Sequence, residues 1–221
     1  MLLLLFALAP ACAPSGGVDD TAADDGVVLT GRLADPAGVP LGDVVLQACA
    51  SVCYADVSAP DGTFAFALSP GSWSLKVAAS DRGDAPLVVP LALAADRDVA
   101  LTVPRLDPPV PVPDAADDVA VTAGLSLRLS AEGLPGIDAV AAAALPAGAW
   151  PPLDGLDGVP TAAFALSPLG AGEDVPFTAE VAGTRAWCTD EAGTAWVRCD
   201  APGEPGVHGR LPHLGTLVVG D

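Results

Sequence analysis

The sequence has few basic residues. Its 221 residues include 9 lysines and arginines against 28 aspartates and glutamates, and the formal net charge is −19. Nucleic-acid binding needs Lys and Arg side chains that displace counterions from phosphates, and a chain with this charge repels phosphates. The composition therefore excludes a nucleic-acid-binding protein. The ordinary reason for such acidity is the solubility of a surface-exposed protein.

The sequence also lacks the residue sets that common hydrolases use. Only His208 and His213 are available as bases near neutral pH, and both lie in a Gly- and Pro-rich stretch, residues 205–215. There is no Gly-x-Ser-x-Gly motif, and neither histidine has a glutamate at the spacing of a zinc-peptidase helix. The adjacent acids at 173–174 and 190–191 fall in predicted turns, where solvated carboxylates are more common than a glycosidase pair. We predict that the protein is not an enzyme and uses no cofactor or metal ion.

After its first residues the chain has no apolar run of 18 residues or more, so no later segment predicts a membrane span. Residues 1–11, MLLLLFALAPA, form a short apolar run that ends in small side chains, as signal peptides do. With Cys12 directly after it, Ala9-Pro10-Ala11-Cys12 resembles a bacterial lipobox. The resemblance implies that Cys12 carries diacylglycerol and becomes the mature N-terminus. Ala9 replaces the usual Leu and no Lys or Arg precedes the run, so a cleaved signal peptide with an unmodified Cys12 is the alternative.

The segment that follows predicts a tether. Residues 12–26 contain four aspartates and little apolar bulk, so they cannot bury enough surface to order themselves. Together with the lipobox, this segment predicts an exported protein that is lipid-anchored to a bacterial cell envelope, at the outer membrane or the cell surface. The membrane is then a partner through the N-terminal lipid.

Cysteine is scarce, and its spacing is informative. Apart from Cys12 the chain has four cysteines: Cys49, Cys53, Cys188 and Cys199. An even number in an exported chain predicts two disulfides. Of the three possible pairings, proximity favours 49 with 53 and 188 with 199. A zinc site would need the two pairs to converge, although they lie in separate predicted domains without nearby histidines.

Turn-forming residues are abundant, with 24 glycines and 23 prolines spread along the chain. Between them, residues 63–68, 72–79 and 125–129 alternate apolar and polar side chains, as half-buried antiparallel strands do. The length suits one large or two small domains with real cores. We predict an all-β protein with two antiparallel β-sandwich domains in tandem.

The first predicted domain covers residues 27–106, a Pro-rich linker covers 107–114, and the second β-sandwich covers 115–221. In the second domain, the Ala-rich segment 138–144 predicts one or two helical turns. The predicted strands are 27–33, 43–49, 53–58, 63–68, 72–79, 86–93 and 98–103 in the first domain, and 119–121, 125–129, 161–166, 177–181, 186–188, 195–199 and 216–219 in the second.

The first domain contains four short motifs in order: GRL at 31–33, DPAGVPLG at 35–42, PDGTFAF at 60–66 and PGSWSLKV at 70–77. Their order and spacing resemble the carboxypeptidase regulatory-like, transthyretin-like domain. The resemblance implies a seven-stranded prealbumin-type sandwich that is a structural or binding module without catalytic machinery of its own.

These observations favour a non-catalytic, lipid-anchored envelope protein that presents a surface to another envelope or extracellular protein. The alternative is a carbohydrate-binding module, because transthyretin-like sandwiches share their general shape with starch-binding folds. Sugar binding needs exposed aromatic platforms. The candidates are Tyr54, Trp150, Trp187 and Trp196, and exposure of two of them on one face would favour a glycan as the partner. Trp187 and Trp196 flank the second disulfide, so packing against it or the core is their other interpretation.

Overall fold

The computed structural model describes residues 26–80, 82–147, 150–201 and 207–221, and within these ranges the regular structure is entirely β. The predicted all-β class is therefore confirmed. The predicted signal peptide, Cys12 and the tether up to residue 25 lie outside the described residues.

The first sandwich consists of two sheets. A three-stranded sheet, here called the outer sheet, has the order β4-β1-β7, and a four-stranded middle sheet has the order β3-β2-β5-β6. Strands β1 and β7 pair in parallel, and the other neighbours pair antiparallel. The strands are β1 (Val27–Ala34), β2 (Val45–Cys49), β3 (Cys53–Val57), β4 (Thr63–Leu68), β5 (Gly71–Val77), β6 (Leu87–Leu93) and β7 (Arg97–Thr102).

Alternating apolar residues form the core of this sandwich. In β4, Phe64, Phe66 and Leu68 are buried while the residues between them are exposed, which confirms the predicted alternation. Gly31 of β1 lies opposite Phe64 in the strand pair, and a Cβ at that position would collide with the Phe64 ring. The glycine therefore lets an aromatic ring pack flat against the strand backbone.

The second sandwich also has two sheets. A distal sheet has the order β16-β13-β10-β9, and a six-stranded central sheet has the order β15-β14-β17-β12-β11-β8. The strands are β8 (Val110–Pro111), β9 (Asp117–Thr122), β10 (Leu125–Leu129), β11 (Ala139–Leu145), β12 (Pro160–Ser167), β13 (Val175–Ala179), β14 (Arg185–Thr189), β15 (Trp196–Arg198), β16 (Val207–Leu211) and β17 (Thr216–Gly220).

The predicted helical turns at residues 138–144 are wrong, since this segment is strand β11. Its alanines favour helix only by a few tenths of a kcal/mol each over most residues, which tertiary pairing readily overrides. β11 pairs with β12 on one side and with β8 on the other. Val140 is fully buried on one face and Leu145 is buried on the other, and small alanines fill the space between.

Strand β16 lies in the Gly- and Pro-rich stretch 205–215, where no strand was predicted. Val207 and Leu211 are buried on the inner side of the strand, whereas Arg210 is exposed. Gly209 stands where the pattern calls for an apolar residue. A Cβ there would collide with the carbonyl oxygen of Cys199, so close backbone approach explains the interrupted pattern.

Both faces of the central sheet are buried. Phe164 and Leu217 point into the core shared with the distal sheet, whereas Ala163, Ala165 and Val218 belong to the hydrophobic cluster of the first sandwich. A sheet covered on both sides has continuous apolar strands instead of alternating ones. The two sandwiches are thus joined through a common hydrophobic cluster.

Polar contacts support this joint. The backbone N–H of Val88 in β6 donates to the Thr216 hydroxyl at 3.0 Å, and Thr216 is only 1 % exposed. A guanidinium N–H of Arg97 donates to the Asp154 carboxylate at 3.1 Å. The segment that connects the sandwiches contains the short strand β8, which pairs with β11 and forms one edge of the central sheet.

Candidate functional site

The four aromatic candidates for sugar binding lie in different environments. Tyr54 is 48 % exposed, and Trp150 is half-buried. Trp187 and Trp196 are only 1 % and 8 % exposed, because the first sandwich and the loop at 150–156 cover this face of the central sheet. Trp187 and Trp196 therefore pack in the core and do not present exposed rings to a ligand.

Trp187 is also held by polar groups. Its indole N–H donates to the Asp157 carboxylate at 2.7 Å, and the Arg198 guanidinium lies 5.7 Å from the centre of the ring system. The hydrogen bond from Trp187 lowers the pKa of Asp157 below its usual 3.8. This network fixes the ring at the joint and leaves its faces covered.

Arg198 and Asp200 form a two-pronged ion pair beside the second disulfide. The guanidinium donates to the two carboxylate oxygens at 2.6 and 2.5 Å, and the Asp200 side chain is 8 % exposed. The Arg198 hydrogen bonds and, second, the backbone N–H of Ala186 hold the pKa of Asp200 below 3.8, and the same pairing raises the pKa of Arg198. The pair is structural, because its donors and acceptors are turned toward each other.

Both predicted disulfides are present. Cys49 pairs with Cys53 at a Cα–Cα distance of 4.0 Å, and Cys188 pairs with Cys199 at 6.0 Å. The first closes the hairpin of β2 and β3 at a directly opposed residue pair, so it pins their register. The second joins β14 to the residue after β15.

The two histidines lie apart and have different contacts. The Nδ1 atom of His208 lies 3.0 Å from the Thr178 hydroxyl oxygen. Both ring nitrogens of His213 lie 3.1 Å from carbonyl oxygens, those of Leu214 and Asp190. Across the described ranges no three His, Cys, Asp or Glu side chains are grouped as metal ligands are.

The acidic pairs have local contacts. The Asp190 carboxylate accepts backbone hydrogen bonds from Thr194 and Ala195 and shapes the turn between β14 and β15. Asp174 pairs with Arg210. These contacts account for two of the four carboxylates as turn and ion-pair residues.

Exposed apolar side chains are concentrated on the first disulfide hairpin. In the part of the chain that the structure describes, eight large apolar side chains are exposed, and four of them belong to this hairpin. These four, Val45, Val52, Tyr54 and Val57, are called the hairpin patch below; Val45 and Val57 lie on one face of the hairpin, and Tyr54 lies on the other. Val45 and Val57 are direct cross-strand neighbours, so their exposed methyl groups are contiguous. No sequence pattern predicted this patch, because β2 and β3 resemble ordinary half-buried strands.

The hairpin patch surrounds an open strand edge. β3 lies at the end of the middle sheet, and the Ser58 N–H donates to the Val44 carbonyl at 2.9 Å. Antiparallel alternation then directs the backbone groups of Cys53, Ala55 and Val57 away from β2. The Val57 N–H is occupied by the Asp56 carboxylate at 2.8 Å. Cys53 and Ala55 therefore present donors and acceptors that another strand can pair with.

The lipidation site cannot be placed in the fold, because Cys12 lies outside the described residues. Within those residues, no helix has the length and apolar character that crossing a membrane requires.

No protein-family profile and no curated protein matches the chain. Among solved structures, the chain is similar to a DUF3823 family protein from Parabacteroides merdae. The two sequences are 12 % identical, the TM-score is 0.31, and the alignment covers 84 % of this chain and 98 % of that protein.

Proposed function

We propose that the protein is a non-catalytic, lipid-anchored module of a bacterial cell envelope that binds another envelope protein through the hairpin patch. The observation that carries this proposal is the coincidence of exposed apolar side chains with an open strand edge on a disulfide-pinned hairpin. The partner is an extended polypeptide segment that adds a strand to β3, since main-chain hydrogen bonds provide affinity in that mode and flanking side chains provide selectivity.

The rigidity of the hairpin supports this mode of binding. The disulfide closes the loop between β2 and β3, and β2 is held in place by pairing with β5. An edge that is ordered before binding loses less conformational entropy when a partner strand pairs with it. Exposed strand edges usually carry protective charges, whereas β3 carries one aspartate, and that residue is half-buried.

The proposed location in the cell envelope rests on the lipobox resemblance at Cys12 and on the acidic tether that follows it. The two disulfides support an oxidising compartment outside the cytoplasm. The seven strands of the first sandwich, divided three and four between two sheets, support its proposed kinship with carboxypeptidase regulatory-like domains.

A carbohydrate partner has less support. Two of the four candidate aromatic rings are buried, and Tyr54 packs with its ring centre 6.0 Å from that of the buried Trp73. A sugar platform usually offers a free aromatic face. A glycan array run with the same preparation tests this alternative directly.

Site-specific photocrosslinking in envelope preparations tests the proposed surface. A photoreactive side chain at Val57, which is 52 % exposed, is compared with one at Val159, which is 70 % exposed and lies outside the patch. We expect a discrete adduct from position 57 that excess unlabelled wild-type protein abolishes and excess V45D/V57D protein does not. Equal adducts from both positions, or equal competition by the two proteins, would contradict the proposal.

The anchor is tested separately by mass spectrometry of the mature N-terminus. We expect a diacylated cysteine at position 12, and the C12S variant should lose both the lipid and membrane association. A mature wild-type N-terminus at any other residue would contradict lipidation.

A further inference from the structure

A second feature of the middle sheet is a cleft of about 490 Å³ on its outward face. One side is formed by residues of β2, β5 and β6, and the other by the turns that follow β12 and β14 and by the turn before β17. The cleft thus lies where the two sandwiches meet. Its volume is in the range of small-molecule sites, which span about 300–1,000 Å³.

Lys76 lines this cleft, and it is the only lysine of the chain. Its side chain makes no hydrogen bond and no ion pair within 4.0 Å with any residue of the described ranges. In a chain with 28 acidic residues, an ammonium group without a carboxylate partner among the described residues is unexpected. The residue is half-buried, so its charge is only partly compensated by water.

Another concave surface of the described chain provides a contrast. It has a volume of about 560 Å³ and is lined by Arg128, Arg198 and Arg210. Each of these arginines pairs with its own aspartate. The cations of that surface are therefore neutralised by the protein, whereas no carboxylate of the described ranges neutralises Lys76.

The neighbours of Lys76 define the rest of the cleft. Gln47 and Val88 lie directly opposite it on the two adjacent strands, so the three side chains form one row across the sheet. The amide of Gln47 is exposed and has no protein hydrogen bond in the described part of the chain. Pro86 and Leu169 add apolar walls. One cationic group, one amide donor and apolar walls therefore face the same space.

His213 forms part of the wall of this cleft. Both of its ring nitrogens already face backbone carbonyl oxygens, so the ring offers its carbon edge to a ligand. Glu191 also lines the cleft, more than 4.0 Å from the Lys76 ammonium, and its exposed carboxylate disfavours a ligand with a second negative charge.

We propose that this cleft is a binding site for a small organic monocarboxylate with an apolar body. The Lys76 ammonium pairs with the carboxylate, the Gln47 amide donates a second hydrogen bond to it, and the apolar body packs on Val88, Pro86 and Leu169. The lining of the cleft shares no residue with the hairpin patch, and the site goes beyond the proposed protein-binding function.

Binding is tested by titration calorimetry with hexanoate, hexanamide and hexylamine, three probes of one chain length with negative, neutral and positive head groups. Hexanoate should bind saturably, at least about tenfold more tightly than hexanamide, and added salt should weaken it. Hexylamine should show no saturable binding. Absence of saturable hexanoate binding, or equal binding of hexanamide, overturns the proposal.

Substitutions test whether hexanoate binds in the cleft at Lys76. K76M should reduce hexanoate affinity about tenfold or more, whereas K76R, which keeps the charge, should retain most of it. R105M removes one positive charge from an exposed arginine that does not line the cleft, and it should change affinity less than about twofold. A79F, at an exposed position on the rim, should block binding by filling the cleft. Equal losses in K76M and R105M, or full affinity in A79F, would place the ligand elsewhere and overturn the site.

Discussion

The two hairpins that are closed by disulfides lie in different environments. In the first, Cys53 is exposed, and its strand β3 lies at a sheet edge with apolar side chains in solvent. In the second, Cys188 is 2 % exposed, and Trp187 and Trp196 are buried against the first sandwich. Both hairpins are held in register, but only one is covered.

This difference indicates which hairpin is available for binding. Aromatic residues beside a disulfide are attractive candidates for a binding surface when only the sequence is read. Here the hairpin with two tryptophans joins the sandwiches, and the hairpin with three valines and a tyrosine meets solvent. Exposure follows from how the two sandwiches pack and does not follow from residue type.

The largest expected effect comes from removing a ring at the joint. W196A should lower the free energy of unfolding by about 3–5 kcal/mol, because it leaves a cavity between the sandwiches. Y54A removes a half-exposed ring from the other hairpin and should cost less than about 1.5 kcal/mol. Urea denaturation of the two variants measures both values. Equal losses of unfolding free energy in W196A and Y54A would contradict the conclusion that only one hairpin is covered.

Removal of the second disulfide, Cys188–Cys199, should cost more stability than removal of the first, Cys49–Cys53. In the loop-closure account, C188S/C199S should cost about 3 kcal/mol, since it opens the longer loop, and C49S/C53S about 2 kcal/mol. C188S/C199S also places a new hydroxyl group at the buried position 188, which adds to its cost. Thermal denaturation of the oxidised wild type and both double variants gives the ranking, and a larger loss for C49S/C53S would reverse it.

The sequence predicted the parts of this arrangement that depend on local pattern. Alternation identified β4 and β10, and proximity identified both cysteine pairs. β11 and β16 were missed because alanine and glycine occupy positions where close sheet packing or backbone contact leaves no room for larger residues. The burial of Trp187 and the exposure of Val57 depend on contacts between distant segments, and no local pattern encodes them.

The ion pair beside the second disulfide should make the joint sensitive to acid. Because the pKa of Asp200 is lowered in the folded protein, its contribution is present above about pH 4 and is lost as the pH falls through the folded pKa. D200N should therefore cost about 1–2 kcal/mol at pH 7 and progressively less below about pH 4. Urea midpoints of D200N and wild type between pH 2.5 and 7 test this, and a pH-independent difference would exclude the carboxylate charge as the cause.

The smallest effect on stability should come from the hairpin patch. V45T and V57T replace exposed valines by a β-branched residue of similar size, so each should change stability by less than about 0.5 kcal/mol. As an unlabelled competitor, the V45T/V57T double variant should nevertheless reduce the adduct from position 57 less than wild-type protein does. A loss of stability above 1.5 kcal/mol in either single variant, an order-of-magnitude limit for a surface site, would show that the patch is part of the core.

The common hydrophobic cluster is the central claim, because it covers one hairpin and thereby leaves the other as the open surface. Scanning calorimetry tests it most directly. The oxidised wild type should unfold in one transition whose calorimetric and van't Hoff enthalpies agree, and W196A should broaden or split that transition. Two separate transitions in the wild type, unchanged by W196A, would show that the sandwiches fold independently and that the covered hairpin is not a joint.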